Sequence, residues 1–273
     1  MEGLAINLAT VRRQWGFAEA VEGCLRHGIT AIAPWRDQID ATGLAEAARI
    51  VKENGIRVTG LCRGGMFPAA DEAGRRAAID DNMRAIDEAA TLGAECLVLV
   101  VGGLPNGSRD LPAARRQVAD GIAAVLPYAR ANTVPLAIEP LHPVYAAGRA
   151  CVNTLKQALD LCEQLGDGVG VVVDAYHVWW DPDLPAQIAR AGARNRILAH
   201  HISDWLVPTL DPLNDRGMPG DGVIDLKGIR RAIEAAGYRG PQEVEIFSER
   251  WWGEDGDTVL ATCVERFRTV CCP

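Results

Sequence analysis

The chain has 273 residues, a net charge of −8 at neutral pH and a pI near 5.2. That acidity offers neither a nucleic acid nor an anionic membrane any electrostatic attraction, and a content of 48% hydrophobic and 23% charged residues is globular rather than disordered. The length suits one large core, and a closed α/β barrel of about 250 residues fits it.

The N-terminus, MEGLAINLATVRRQWG, lacks a basic start followed by an apolar run and a cleavage site. The longest purely aliphatic stretch, 97–101, is too short to span a bilayer. A soluble cytoplasmic protein with no membrane partner is expected. The eight cysteines are scattered, with no C-x-x-C pair, and read as reduced thiols packed as small hydrophobes.

Strand-length apolar runs fall at 4–8, 30–34, 57–61, 95–101, 135–139, 169–174, 196–203 and 242–247. Helical periodicity fills the spaces between and after them, at 17–27, 44–54, 71–92, 112–131, 154–165, 183–192, 225–236 and 257–270. CLVLVV and VGVVV are apolar at nearly every position, as strands covered on both faces are. Eight strand–helix units at about 34 residues each predict a single (β/α)8 TIM barrel over 1–273 rather than an open doubly wound sheet. One connection is long: residues 204–225, WLVPTLDPLNDRGMPGDGVI after Asp204, predict a structured flap over the barrel mouth.

Side chains alternate along strands, so facing follows from counting. Glu139 shares its strand face with Ala137, Asp174 with Val172 and Gly170, His201 with Ala199 and Ser203, and Glu245 with Glu243 and Phe247. These four candidates are 35, 27 and 44 residues apart, close to one unit each, and come at strand C-termini, where barrel enzymes build their sites. Three carboxylates and an imidazole, with room for water, suit one divalent ion, Mn²⁺ or Mg²⁺ first and Co²⁺ or Zn²⁺ next; with no cysteine in the set, a structural zinc is disfavoured.

IEP on strand five, VVDAYHVWW on strand six, HHISDW followed by PGDGVID on strand seven, and EVEIF on strand eight resemble the sugar phosphate isomerase/epimerase superfamily of xylose isomerase-like barrels. Hydroxypyruvate isomerases, ketose 3-epimerases and inosose-processing enzymes are members. The likeness spans the chain and is most specific from Glu139 onward. It implies a divalent metal on Glu139, Asp174, His201 and Glu245, with both glutamates doubling as proton-transfer groups on opposite sides of a sugar, keto-sugar or keto-polyol. It also implies substrate contacts at His177, in the D-x-x-H element, and at Arg216, just before PGDG. Homodimers or homotetramers are compatible with the family.

His142, three residues after Glu139, is a candidate acid/base or hydroxyl donor, or else a loop histidine bonded to backbone. Where many relatives carry a glutamate at the end of strand two, this chain has Trp35 and Arg36. Trp35 and the other mouth tryptophans suit sugar stacking, packing or a subunit contact equally. Arg63, Arg149 and Arg216 suit a phosphate or carboxylate, or local acids; Gly102-Gly103 is a weak phosphate-cradle signal that also serves as a plain turn.

The implied reaction is proton transfer through a metal-stabilised enediolate, giving epimerisation or aldose–ketose isomerisation. Expulsion of water or an aglycone from a 3-oxo-sugar or inosose, as a lyase or dehydratase, is the alternative. A DNA-repair endonuclease of the same superfamily is disfavoured by five histidines and a charge of −8; a non-catalytic sugar-binding barrel would lack a loaded site.

Overall fold

The computed structural model describes residues 3–272. At its centre run nine parallel strands: β1 (Leu4–Asn7), β2 (Ala31–Ala33), β3 (Arg57–Val58), β4 (Leu61–Gly65), β5 (Leu97–Val100), β6 (Leu136–Ile138), β7 (Val169–Asp174), β8 (Ile197–Ile202) and β9 (Gln242–Val244). Their order is β3-β2-β1-β9-β8-β7-β6-β5-β4, so β9 is inserted between β1 and β8.

The third expected strand is in two pieces. β3 pairs with β2 and β4 with β5, with Thr59 and Gly60 between them. Backbone bonds from Thr59 N to Ile32 O and from Cys62 N to Pro34 O, with the Trp35–Cys62 bridge, carry the pairing across the break. The result is a (β/α)8 barrel whose third stave is split. Residues 62–65, beyond the strand expected at 57–61, are therefore strand as well.

The outer layer comprises α1 (Phe17–Arg26), α2 (Arg36–Thr42), α3 (Leu44–Glu53), α4 (Glu72–Leu92), α5 (Leu111–Ala131), α6 (Leu155–Leu165), α7 (Ala175–Val178), α8 (Leu184–Gly192), α9 (Leu226–Ala235), α10 (Glu249–Trp252) and α11 (Gly256–Arg266). The short helices α2, α7 and α10 follow strand ends and escape the sequence pattern, because four to seven residues barely complete one or two turns. Aspartate or threonine caps open five of the long helices: Asp71, Asp110, Thr154, Asp225 and Asp255 each accept a first-turn N–H. None of the described helices is long and apolar enough to cross a membrane.

Alternation divides the core. Cys62, Cys96, Val98, Ala137, Val172 and Ala199 form one buried cluster, while Leu97, Leu99, Leu136, Ile138, Val171 and Val173 belong to the larger cluster that includes the helices. The small residues of the first cluster leave the barrel interior open to larger polar side chains above them. All eight cysteines are free; seven are buried and Cys272 is half-buried.

The 204–225 connection is held by one side chain. Asp204 exchanges backbone bonds with Gly217 at 2.8 Å, and its carboxylate accepts from Trp205 N at 2.9 Å, Gly220 N at 2.9 Å and Ile224 N at 3.0 Å. Trp205 packs between His142 and Tyr176, at ring separations of 4.6 and 4.8 Å. Val207 and Leu210 of the same loop are 72% and 84% exposed. Arg216 N bonds Phe247 O at 2.9 Å, which ties the end of this loop to the segment after β9.

Candidate metal centre

Glu139 follows β6, Asp174 ends β7, His201 lies in β8 and Glu245 directly follows β9. All four are buried, the most exposed at 5%. One donor atom from each lies within 4.8 Å of the others. Strand register produces this convergence, since Asp174 pairs with His201 and His201 with Glu243 across neighbouring strands.

Buried carboxylates require compensation. Glu245 Oε2 accepts from Arg216 Nη1 at 2.8 Å and Glu245 Oε1 from Asn7 Nδ2 at 3.0 Å. Asp174 Oδ1 accepts from Tyr176 N at 2.8 Å, and its Oδ2 lies 3.5 Å from Arg216 Nη1. Glu139 Oε1 and His201 Nδ1 are 3.1 Å apart, yet neither has a directed hydrogen bond although both are sealed from solvent. Orphaned donors of this kind, in a set of three carboxylates and one imidazole, fit a divalent cation of the Mn²⁺, Mg²⁺, Co²⁺ or Zn²⁺ type.

The protonation pattern agrees with a site short of positive charge. Burial opposes a charged imidazole at His201, but Glu243, Glu139 and Glu245 together hold its pKa well above the usual value. Burial raises the Asp174 carboxyl, against the pull of Arg216. Burial likewise pushes Glu245 up to about 7, with Arg216 and His201 opposing. A divalent ion would supply the balance that a proton on His201 otherwise provides.

His177 and Arg216 lie beside the four. His177 Nε2 lies 3.2 Å from Arg216 Nη2 and 3.6 Å from Asp174 Oδ2, and its Nδ1 lies 3.3 Å from His142 N; a neutral ring accepts at only one of its two nitrogens. Burial, then Arg216, keeps this imidazole well below its ordinary pKa. Trp35, Tyr145, Arg149, Leu213 and Phe247 wall a pocket over Glu139, Glu245 and Arg216, with free volume of about 20 Å³, room for one ion or water.

Other sequence candidates lie elsewhere. The His142 ring stacks on Trp205 and its Nδ1 accepts from Val144 N at 3.2 Å; its backbone N–H, not its imidazole, reaches His177. Arg63 is outside the four-residue cluster and lines a separate cavity of about 390 Å³ on the other side of Trp35. Trp35 itself walls both spaces and donates from Nε1 to Asn7 Oδ1 at 2.7 Å. Gly102-Gly103 is a packing turn: a Cβ on Gly103 would come within 2.1 Å of Ala147 O. Arg36 bonds Glu88 and Asp81 of α4 rather than facing the pocket.

Three contributors went unassigned in the sequence. Asn7 ends β1 and bridges Glu243 at 2.8 Å and Glu245 at 3.0 Å. Thr59 Oγ1 donates to Glu243 Oε2 at 2.7 Å. Glu243 itself lies 3.2 Å from His201 Nε2. A polar residue closing an apolar strand, the signal that flagged Glu139, was equally present in LAIN.

The profile of the xylose isomerase-like TIM barrel family matches residues 19–268. An inosose isomerase of Bacillus velezensis is 25% identical over 98% of this chain and 96% of its own length. A solved protein of Sinorhizobium meliloti 1021 is 72% identical, covers 100% of this chain and 99% of its own, and superposes with a TM-score of 0.99. The IOLI protein, solved with a zinc atom bound, is 22% identical with a TM-score of 0.85 over 98% of each chain.

Proposed function

The chain belongs to the xylose isomerase-like TIM barrel family, and from that premise we propose that it is a divalent-metal-dependent isomerase or epimerase of a small keto-sugar or keto-polyol. The observation that carries this reading is the convergence of donors from Glu139, Asp174, His201 and Glu245 within 4.8 Å, with Glu139 Oε1 and His201 Nδ1 lacking any directed bond. The full-length similarity to an inosose isomerase points to a polyhydroxylated carbonyl substrate.

These four residues would hold the ion, His201 through Nδ1. When bound, a divalent cation supplies Lewis acidity that stabilises negative charge developing next to a carbonyl, a contribution worth several kcal/mol. The IOLI protein holds zinc; the carboxylate-rich set here also admits Mn²⁺ or Mg²⁺.

Glu139 and Glu245 come from staves on either side of Asp174 and His201, and each is a candidate to take or return the substrate proton. Arg216 and Asn7 grip the two oxygens of Glu245 and fix the direction in which it presents a proton. Trp35 and Phe247, edge to face at 5.4 Å, keep water from the reacting carbon. His177 sits against Arg216 and the outer oxygen of Asp174.

The test is solvent-deuterium incorporation by NMR in D₂O with Mn²⁺ against ketoses, inososes, hydroxypyruvate and 3-oxo-glucosides. Mass-neutral exchange at a carbon next to the carbonyl supports the proposal. Loss of water or aglycone would place the chain with the eliminating lyases. Absence of exchange and of elimination from metal-loaded protein across the panel would overturn the enzymatic reading.

A further inference from the structure

Among the described residues, two guanidinium groups near the mouth are neither hydrogen-bonded nor ion-paired to an acid. The Arg63 side chain makes no hydrogen bond or ion pair, although Asp37 and Asp81 line the same cavity, and the Arg149 side chain makes only a cation–π contact to Tyr145, at 5.9 Å. Both are half-buried. The contrast within one cavity is informative. Arg12 and Arg36 line the same 390 Å³ space as Arg63, yet Arg12 is paired with Asp37, and Arg36 with Asp81 and Glu88.

Each unpaired arginine is carried on backbone that is held in place. Arg63 occupies a bulge in β4, where the register with β5 shifts between Cys62 and Gly64. Bulges re-aim side chains at barrel rims. The strand beyond it is clamped by buried Asn82, which bonds Gly65 N at 2.6 Å and Gly65 O at 2.8 Å. A Cβ on Gly65 would come within 2.0 Å of Val100 O, so only glycine lets β4 lie this close to β5. The Arg149 turn is seated just as closely, on Gly103 and through a Gly102–Ala150 bridge.

Partial desolvation of a cation without a counterion is unfavourable. Arg63 feels this directly: burial, then the Arg149 charge, lowers its pKa, with Asp81 only a weaker opposing influence, so the two guanidiniums are close enough to repel. Arg149 lines the pocket above Glu139 and Glu245, Arg63 lines the larger cavity beside it, and Trp35 walls both.

We infer that Arg63 and Arg149 form an oxyanion-recognition pair beside the metal centre, and that the substrate carries a carboxylate or phosphate group that they neutralise. This deepens the function proposed above and rests on it for the word substrate. The pair itself does not depend on the ion. A planar carboxylate and a phosphate both match the guanidinium fork, and a bridging anion removes the repulsion between the two arginines. The keto-sugar is therefore acidic, with its reacting carbonyl end at the four donors and its anionic end past Trp35.

The experiment uses the intact protein, both loaded with Mg²⁺ and stripped of metal. Binding of inorganic phosphate, of pyruvate as the carboxylate probe and of myo-inositol as a neutral control is titrated by calorimetry. Wild type is compared with Arg63→Gln, Arg149→Gln, the double variant and the Arg→Lys pair. The expected result is that wild type binds one of the anions, each glutamine variant weakens it about tenfold or more, the lysine pair recovers part of the loss, and myo-inositol does not respond to the substitutions. Tighter phosphate identifies a sugar phosphate; tighter pyruvate identifies a sugar acid. Anion binding unchanged in folded glutamine variants, or undetectable in wild type, overturns the pair. Persistent, arginine-dependent anion binding in a protein that takes up no metal would instead overturn the metal-centre reading and leave the pair standing.

Discussion

His201 Nε2 lies 3.2 Å from a carboxylate oxygen of Glu243, which precedes Glu245 by two residues and shares its inward direction. Glu243 is buried and held from two further sides by Asn7 and Thr59. A carboxylate in that position fixes the ring and raises the basicity of the opposite nitrogen, Nδ1, which faces Glu139. Glu243→Gln is therefore expected to weaken metal affinity by about 10–100-fold with the barrel intact. Competition with a fluorescent chelator, alongside far-UV circular dichroism, measures it; affinity equal to wild type would assign Glu243 to packing alone.

Glu245→Gln removes the proton-transfer group while keeping an acceptor for Asn7 and Arg216. Proton exchange should fall by about 10²–10⁴-fold, the usual worth of one general acid–base group. Near-normal exchange in metal-supplemented protein would exclude Glu245 from that role. Glu139→Gln should behave alike if the two carboxyls act on opposite sides.

Removal of divalent metal should lower thermal stability as well as activity. A cation that binds only the folded chain adds stability that grows with its free concentration, about 2.7 kcal/mol at a hundredfold excess over Kd. The melting temperature is thus expected to rise with added Mn²⁺, and the rise to be lost in His201→Ala. A melting temperature indifferent to metal would contradict a centre made by these donors.

Asp204→Ala deletes an acceptor used by three backbone N–H groups. Leaving one buried donor unsatisfied costs about 1–3 kcal/mol. Lower urea stability and faster proteolysis within 206–214 are expected, with the barrel strands still protected in hydrogen exchange. Wild-type protease resistance would show that Trp205 packing alone holds the loop.

Arg36 is the main cause that holds the Asp81 carboxyl below its ordinary value of 3.8, with Arg84 adding to it. The folded-state pKa is the lower of the two, so the stability gained is present above the unfolded value and disappears as pH falls below it. The stability difference between wild type and Asp81→Asn should stay level from about pH 8 to 5 and narrow below about pH 4, near the unfolded carboxyl's pKa. A difference that does not narrow at all below about pH 4 would mean that Asp81 stabilises by shape rather than charge.

Strand alternation and the spacing of strand ends were enough to reach Glu139, Asp174, His201 and Glu245, because a parallel barrel turns a one-dimensional repeat into a shared rim. Arg216 came through the family resemblance alone, since no periodicity governs a loop. Counting left His142 open between an acid/base and a loop histidine bonded to backbone, because the capping of the 3₁₀ turn at Pro143–Tyr145 and stacking on Trp205 decide the ring's direction. The split at Thr59 was invisible, because a break in one stave leaves the apolar pattern intact. Arg63 was readable as a residue but not as an unpaired one; which acids reach a guanidinium depends on the bulge in β4 and on the helix opposite.

The insertion of β9 between β1 and β8 has a bearing on folding order. Asn7 stands 236 residues from Glu243 and 238 from Glu245, yet they meet in one bonded triad. The candidate centre is therefore complete only once β1 and β9, far apart along the chain, have paired, so its assembly reports on that union as well as on the donors themselves.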